Sequence, residues 1–285
     1  MKEWKIGNVR ITKVVEREET WDGTMLLPNA TPENMKKEAD WLYPTFVDDN
    51  GKITLSIHSL IVESQGKRIV VDTCVGNDKK RDAFPTWTNL QSPFLKTLSD
   101  AGSPREAVNR VVCTHLHLDH VGWNTMLDKG KWVPTFPNAR YLIGGTEWDF
   151  FSKMEDDFHK GPVDDSVRPI IDDGMADLID EKHRITDEVW FESTPGHTPG
   201  HMSVRISSGG QEAVITGDMM HHPIQVRYPE WDDVFDTDGP LAKKTRRAFC
   251  ERYADTGTLI FGTHFASPSV GKIVKKGEEY RLVLA

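Results

Sequence analysis

Short runs of β-branched and apolar residues recur along the whole chain, while stretches with a helical period are few. Val9 to Val15, Ile53 to Val62 and Arg68 to Val71 read as antiparallel strands, the last two joined by the turn Ser64-Gln65-Gly66-Lys67. Arg110 to Thr114 and Ala139 to Ile143 form a second group of strands. A third holds Val189 to Glu192, Met202 to Ile206, Ala213 to Thr216 and Leu259 to Gly262, and the pair Lys272 to Val274 and Tyr280 to Leu284 closes it.

Three segments carry a helical pattern. Phe94 to Ala101 has apolar residues at 94, 95 and 98, then Gly102 as a stop. Thr146 to Met154 opens with a capping-type Thr after two glycines. Pro240 to Tyr253 carries apolar residues at 241, 242, 248, 249 and 253, with its Pro where a first helical turn tolerates one. Strands and helices interleave without a linker, which predicts one mixed α/β domain over residues 1–285. Glu19 to Asp49 and Glu155 to Arg184 fit this pattern poorly. Both are expected to be surface or lid insertions, near 19–49 and 155–184.

Composition narrows the picture. A 38% hydrophobic content supports a sizeable core, and a net charge of -9 argues against nucleic acid or an anionic membrane as a partner. No run approaches the roughly 18 apolar residues of a membrane span. Met1 to Gly7 lacks the apolar core of a secretory signal. Three scattered cysteines, Cys74, Cys113 and Cys250, do not make a disulfide framework. These features together make the cytoplasm the expected location. Cys74 and Cys113 are expected to be small buried residues rather than nucleophiles.

The densest chemistry lies in Thr114-His115-Leu116-His117-Leu118-Asp119-His120, which follows the second strand group. In extended chain alternate residues face one side, so His115 and His117 are expected to point together and Leu116 and Leu118 toward packing. Asp119 and His120 precede Val121-Gly122-Trp123, where a bend redirects them. Imidazole and carboxylate donors suit zinc, iron, manganese or cobalt. Further donors wait at the ends of later strands. They are His197 and His201 in Thr194-Pro195-Gly196-His197-Thr198-Pro199-Gly200-His201, Asp218 in Thr216-Gly217-Asp218, and His264 in Gly262-Thr263-His264.

This ordered series resembles the ligand series of the metallo-β-lactamase superfamily from about Ile53 to Val274. The resemblance implies an αββα four-layer sandwich with two divalent metal ions, zinc first, with iron, manganese or cobalt as alternatives. It assigns His115, His117 and His197 to one metal and Asp119, His120 and His264 to the other, with Asp218 bridging. It gives His201 no ligand role, leaving it as a hydrogen-bonding residue, and makes Asp72 a support for the ligands. Cys74 stands where Gly is more usual.

The segments around Asp218 to Gln225, Phe235 to Asp238, Arg246 to Phe249 and Gly262 to Pro268 resemble the methyl parathion hydrolase and lactonase branch. In acyl-homoserine lactonases a Tyr three residues after the bridging Asp assists the substrate carbonyl; here that position is His221. The implied activity is hydrolysis of a lactone or carboxylic ester by a water activated between two metals, with promiscuous phosphotriester hydrolysis. Asp119, Asp218 and His221 are the candidate catalytic residues, with His222 as a possible assistant to proton transfer. The expected partner is a small molecule with an apolar acyl or aryl part, and a homodimer is allowed. Trp21, Trp41, Phe84, Trp87, Trp123 and Phe265 are candidates for its pocket. A β-lactamase, a thioesterase or a single-iron persulfide dioxygenase are the alternatives on the same site.

Overall fold

A computed structural model describes residues 2–285. The chain forms two compact units, one running up to Glu16 and resuming as Ile57–Trp190, the other made of Arg17–Ser56 and Phe191–Ala285.

The first unit is built on a seven-stranded sheet in the order Glu3–Ile6, Val9–Trp21, Ile53–Ser64, Lys67–Val71, Arg110–Cys113, Arg140–Gly144 and Ala176–Ile179. The last four strands pair in parallel. Parallel neighbours need crossovers, and Phe94–Asp100 and Gly145–Phe151 supply helices between them. Cys113, Leu116, Ile143, Phe151, Val163 and Val167 form one buried cluster of this unit. Complete burial of such a side chain stabilises by about 1.5–3 kcal/mol.

The expected insertion at 155–184 contributes two of those side chains, so it is only partly a surface feature. It forms the helix Asp157–Pro162, a π-turn over Val163–Val167 and the helix Arg168–Asp172. Pro169 explains the wide turn, because it has no N–H to offer the carbonyl of Asp165. That carbonyl instead accepts from Thr125 Oγ1 at 2.5 Å and Lys79 Nζ at 3.5 Å. Lys79 is fully buried over the Trp132 ring, 3.7 Å from its centroid. Arg81 adds two bonds to the Asp165 carboxylate, of 2.7 and 3.0 Å. Burial pushes the Lys79 ammonium down to about 7, against the pull of Asp165. Trp132 lies in the hairpin Thr125–Asp128 and Lys131–Pro134, whose turn residues Lys129 and Gly130 both have positive φ.

The second unit carries a six-stranded sheet in the order Val189–Ser193, Met202–Ser208, Gln211–Ile215, Leu259–Phe261, Val270–Lys276 and Glu279–Leu284. Gln211–Ile215 and Leu259–Phe261 are parallel, and the long helix Gly239–Tyr253 lies in the connection between them. The segment 19–49 departs from the expectation of a surface insertion. Leu26, Leu27, Met35, Leu42, Phe46 and Val47 are buried in the core of this unit. Its polar residues hid that role because they are spent on local structure. Thr31, for example, caps the helix Pro32–Lys37 by accepting from Asn34 N at 3.2 Å.

No helix among the described residues is long and apolar enough to cross a membrane.

Candidate metal centre

In the first unit the candidate ligands follow the strand Arg110–Cys113 at its C-terminal end, where open α/β sheets present ligand sites. The strand stops at Cys113, and residues 114–120 form bends and a turn rather than extended chain. The pairing expected from strand alternation therefore arises from a turn instead. His115 and His117 do meet, with ring centroids 4.6 Å apart, but the turn also brings His120 to 4.1 Å from His115. His120 Nε2 lies 3.8 Å from Asp119 Oδ1. His115 and His120 are fully buried, while the Asp119 side chain keeps 15% of its surface exposed.

Two buried carboxylates shape this run, Asp72 through three bonds and Glu147 by accepting from Leu116 N at 3.3 Å. Asp72 accepts from Thr114 N at 2.8 Å and Thr114 Oγ1 at 2.9 Å, and it holds His120 Nδ1 at 2.9 Å. A donor on Nδ1 leaves the other ring nitrogen as the lone-pair face, the arrangement a metal ligand needs. Asp72 and Cys74 both have positive φ, which accounts for the family's preference for Gly at the Cys74 position. Gly122 is required more strictly, since a Cβ there would lie 1.9 Å from the Val75 carbonyl oxygen. The Cys74 and Cys113 thiols are buried, and burial raises both, Cys113 to about 12. They are not nucleophiles at neutral pH.

In the second unit three loops supply the donors. The Thr-Pro-Gly-His turn docks on the long helix: Thr245 Oγ1 donates to Pro195 O at 2.6 Å, and Asp238 N to Gly196 O at 2.9 Å. Gly196 has φ +131, and a Cβ on it would sit 2.3 Å from Ala242 N. His197 emerges from this turn fully buried, with Nδ1 3.2 Å from Asp236 Oδ1. Asp218 presents Oδ2 to three imidazoles, at 3.8 Å from His197, 3.0 Å from His221 and 3.2 Å from His264. His264 Nδ1 faces the Ser56 carbonyl at 3.2 Å. His201 accepts from Asp218 N at 2.9 Å and pairs with Thr194 Oγ1 at 2.8 Å. It is thus a support for Asp218, in keeping with its expected hydrogen-bonding role.

The neighbours His221 and His222 separate cleanly. His221 Nδ1 lies 2.7 Å from Asp233 Oδ2. Burial opposes its charge, but Asp233 and Asp218 outweigh it and hold the imidazole's pKa well above the ordinary value. His222 bonds Phe46 O at 3.0 Å inside the core, and burial pushes it down to about 4. It is a packing residue. Asp233 and Asp236 have no sequence signature as supports. Asp236 is buried beside Arg246; burial raises its carboxyl to about 6, with Arg246 opposing.

The donor chemistry of the second unit fits a divalent cation. Ligand-capable atoms of Asp218, His221 and His264 all lie within 4.8 Å of one another. Buried imidazoles and carboxylates at this spacing suit zinc or another first-row ion. Beside the first set, a cavity of about 510 Å³ is lined by Leu118, Phe158, Pro162, Lys80, Arg81 and Asp165 among others. The Phe158 ring lies 6.4 Å from that of His117. Of the aromatic pocket candidates, Trp123 is buried and stacked on Phe94, and Phe265 is core against Phe46. Trp21 and Trp41 pack against the second unit's core. Phe84 and Trp87 stack together, with Phe84 6.3 Å from Phe158.

Comparison with known proteins agrees with these features. The fold is similar to that of AidC, a dizinc quorum-quenching lactonase solved with the product N-hexnoyl-L-homoserine, at 23% identity and a TM-score of 0.81 over 100% of this chain and 97% of that one. Hydrolase AbOPH of the beta lactamase superfamily is similar at 22% identity, with a TM-score of 0.80 over 99% and 96%. A probable metal-dependent hydrolase from Staphylococcus aureus shares 18% identity, with a TM-score of 0.76 over 99% of both chains. No curated protein matches. The metallo-beta-lactamase superfamily model matches residues 54–264, a span that holds every candidate ligand, and the chain belongs to that superfamily.

Proposed function

We propose that the protein is a metal-dependent hydrolase that opens a lactone or cleaves a carboxylic ester, with phosphotriester hydrolysis as a side activity. The observation that carries this reading is the pair of buried imidazole–carboxylate sets at strand ends, each backed by a carboxylate of its own unit. The family match runs through both units, which supports reading them as one hydrolase domain. His115, His117 and His197 would hold one divalent ion, Asp119, His120 and His264 a second, and Asp218 would bridge them. Zinc suits this donor set. Bound there, the two ions would supply an activated water and Lewis acidity toward a carbonyl or phosphoryl oxygen.

The chain's own residues then divide the remaining work. Asp218 orients and accepts the proton of the attacking water. Asp119, the more exposed carboxylate, passes a proton toward the leaving group. His221 Nε2, now 3.0 Å from Asp218 Oδ2, would donate to the substrate oxygen once Asp218 turns toward the ions, from the position that Tyr occupies in acyl-homoserine lactonases. Asp233 keeps its ring fixed for that task. The cavity beside Leu118 and Phe158 receives the acyl or aryl part of a small substrate.

The test is a screen of purified, metal-analysed protein against lactones, aryl esters, phosphotriesters and a chromogenic β-lactam. Turnover of lactones or esters with two metal equivalents per chain is the expected result. Inactivity on both classes in a fully loaded sample would overturn the substrate assignment.

A further inference from the structure

We infer that Asp236 and Arg246 are a positioning pair that fixes the His197 imidazole with its proton on Nδ1 and its lone pair on Nε2. The inference rests on the two-metal reading for its functional meaning, but its geometry stands apart from any metal.

Arg246 is fully buried, an unusual place for a guanidinium, and each direction of its fork is used. Nε donates to Pro229 O at 3.1 Å and Nη2 to Trp231 O at 3.0 Å. Those two bonds tie the helix Gly239–Tyr253 to the loop before it. The third direction goes elsewhere: Nη1 donates to Asp236 Oδ2 at 3.0 Å. Asp236 Oδ1 then faces His197 Nδ1 at 3.2 Å. A carboxylate held on one side by a guanidinium offers only lone pairs on the other, so the imidazole nitrogen facing it must carry the proton. Nε2 lies 3.8 Å from Asp218 Oδ2, beyond hydrogen-bond reach, so nothing there requires a second proton.

The backbone reinforces this. Thr237 N donates to His197 O at 2.9 Å, so the residue after Asp236 clamps the same histidine. The ring and its chain are therefore fixed from one short segment. Removing the partner of a ligating histidine typically weakens metal affinity by about 10–100-fold.

Asp236→Asn gives the sharpest test. Arg246 can only donate, so it will draw the amide oxygen and turn the amide NH₂ toward His197. That reverses the imidazole to the Nε2–H form, a wrong-tautomer effect known from a catalytic histidine elsewhere. Ring-nitrogen chemical shifts of ¹⁵N-histidine-labelled, metal-free full-length protein, recorded near pH 8, read the tautomer directly. The wild type should show His197 as Nδ1–H, Asp236→Asn as Nε2–H, and Arg246→Met a loss of the single form. Zinc titration of the same proteins should show one of two sites weakened about 10–100-fold in the variants.

Unchanged His197 shifts in a folded Asp236→Asn protein would overturn the inference, as would an Nε2–H wild type. Wild-type protein that takes up fewer than two zinc equivalents would instead overturn the two-metal reading, while the tautomer result still decides the positioning role. If Arg246→Met does not fold, the isosteric Asp236→Asn carries the test.

Discussion

The two units solve the same problem of holding imidazoles still in different ways. In the first, four donors leave one strand within the run His115–His120, and Asp72 bonds a backbone amide, a hydroxyl and an imidazole of it, with Glu147 accepting from Leu116 N at 3.3 Å. In the second, His197, Asp218 and His264 come from separate loops, and each has its own support in Asp236, His201 and Ser56. A contiguous run needs one hub because the chain itself limits the relative positions of its ligands. Dispersed ligands have no such help, so each must be pinned locally. The first design concentrates vulnerability at one buried residue, and the second spreads it.

The largest effect should come where the second design has no redundancy. Asp218→Asn should cost on the order of 10³-fold in kcat/KM, about 4 kcal/mol, with the melting transition nearly unchanged. Near wild-type turnover in a metal-loaded variant would break the bridging assignment. Next, Asp72→Ala should lower denaturant stability by about 3 kcal/mol by stranding buried donors, and reduce metal affinity by about 10–100-fold. His201→Ala should cost only about 1–2 kcal/mol. Equal losses in the two variants would end the contrast between hub and dispersed support.

The first unit also holds its outer helices through buried Lys79, and this can be read by pH. Lys79 titrates lower in the folded chain, near 7, than when unfolded, so between about pH 7 and 10 the unfolded state binds more protons. The penalty of burying its charge is full below pH 7 and is relieved as pH rises. Denaturant melts of wild type relative to Lys79→Met should therefore favour the wild type progressively, by up to about 1.4 kcal/mol per pH unit in that window. A difference independent of pH would place the charge cost elsewhere. Smallest of all, Cys74→Gly should alter stability by less than about 1 kcal/mol and leave turnover intact, relief at positive φ offsetting the lost side chain.

The same contrast explains what could be read without coordinates. The run His115–His120 is visible because its donors are adjacent in sequence, although the turn that gathers them is not an extended strand. His197, Asp218 and His264 became readable only as an ordered series, since strand-end loops are brought together by topology. Arg246 carries a signal in the sequence that Asp236 lacks. Arg246 occupies the buried helical stripe with Ala242, Phe249, Cys250 and Tyr253. An arginine on such a stripe demands a carboxylate, but nothing local says that Asp236 also meets His197, 39 positions away. The core role of Leu26 to Val47 was obscured for a related reason. Its apolar residues are spaced by turns and short helices, so neither period of 2 nor 3.6 persists.

Burial of all three thiols has a consequence for redox behaviour. Burial raises their pKa values and so weakens their acidity, leaving little thiolate to react with peroxide, disulfides or alkylating reagents. The candidate centre draws on nitrogen and oxygen donors only, leaving soft, thiophilic ions without a competing sulfur ligand at the site. Thiol reagents should therefore leave the proposed hydrolysis untouched, whereas chelators should not.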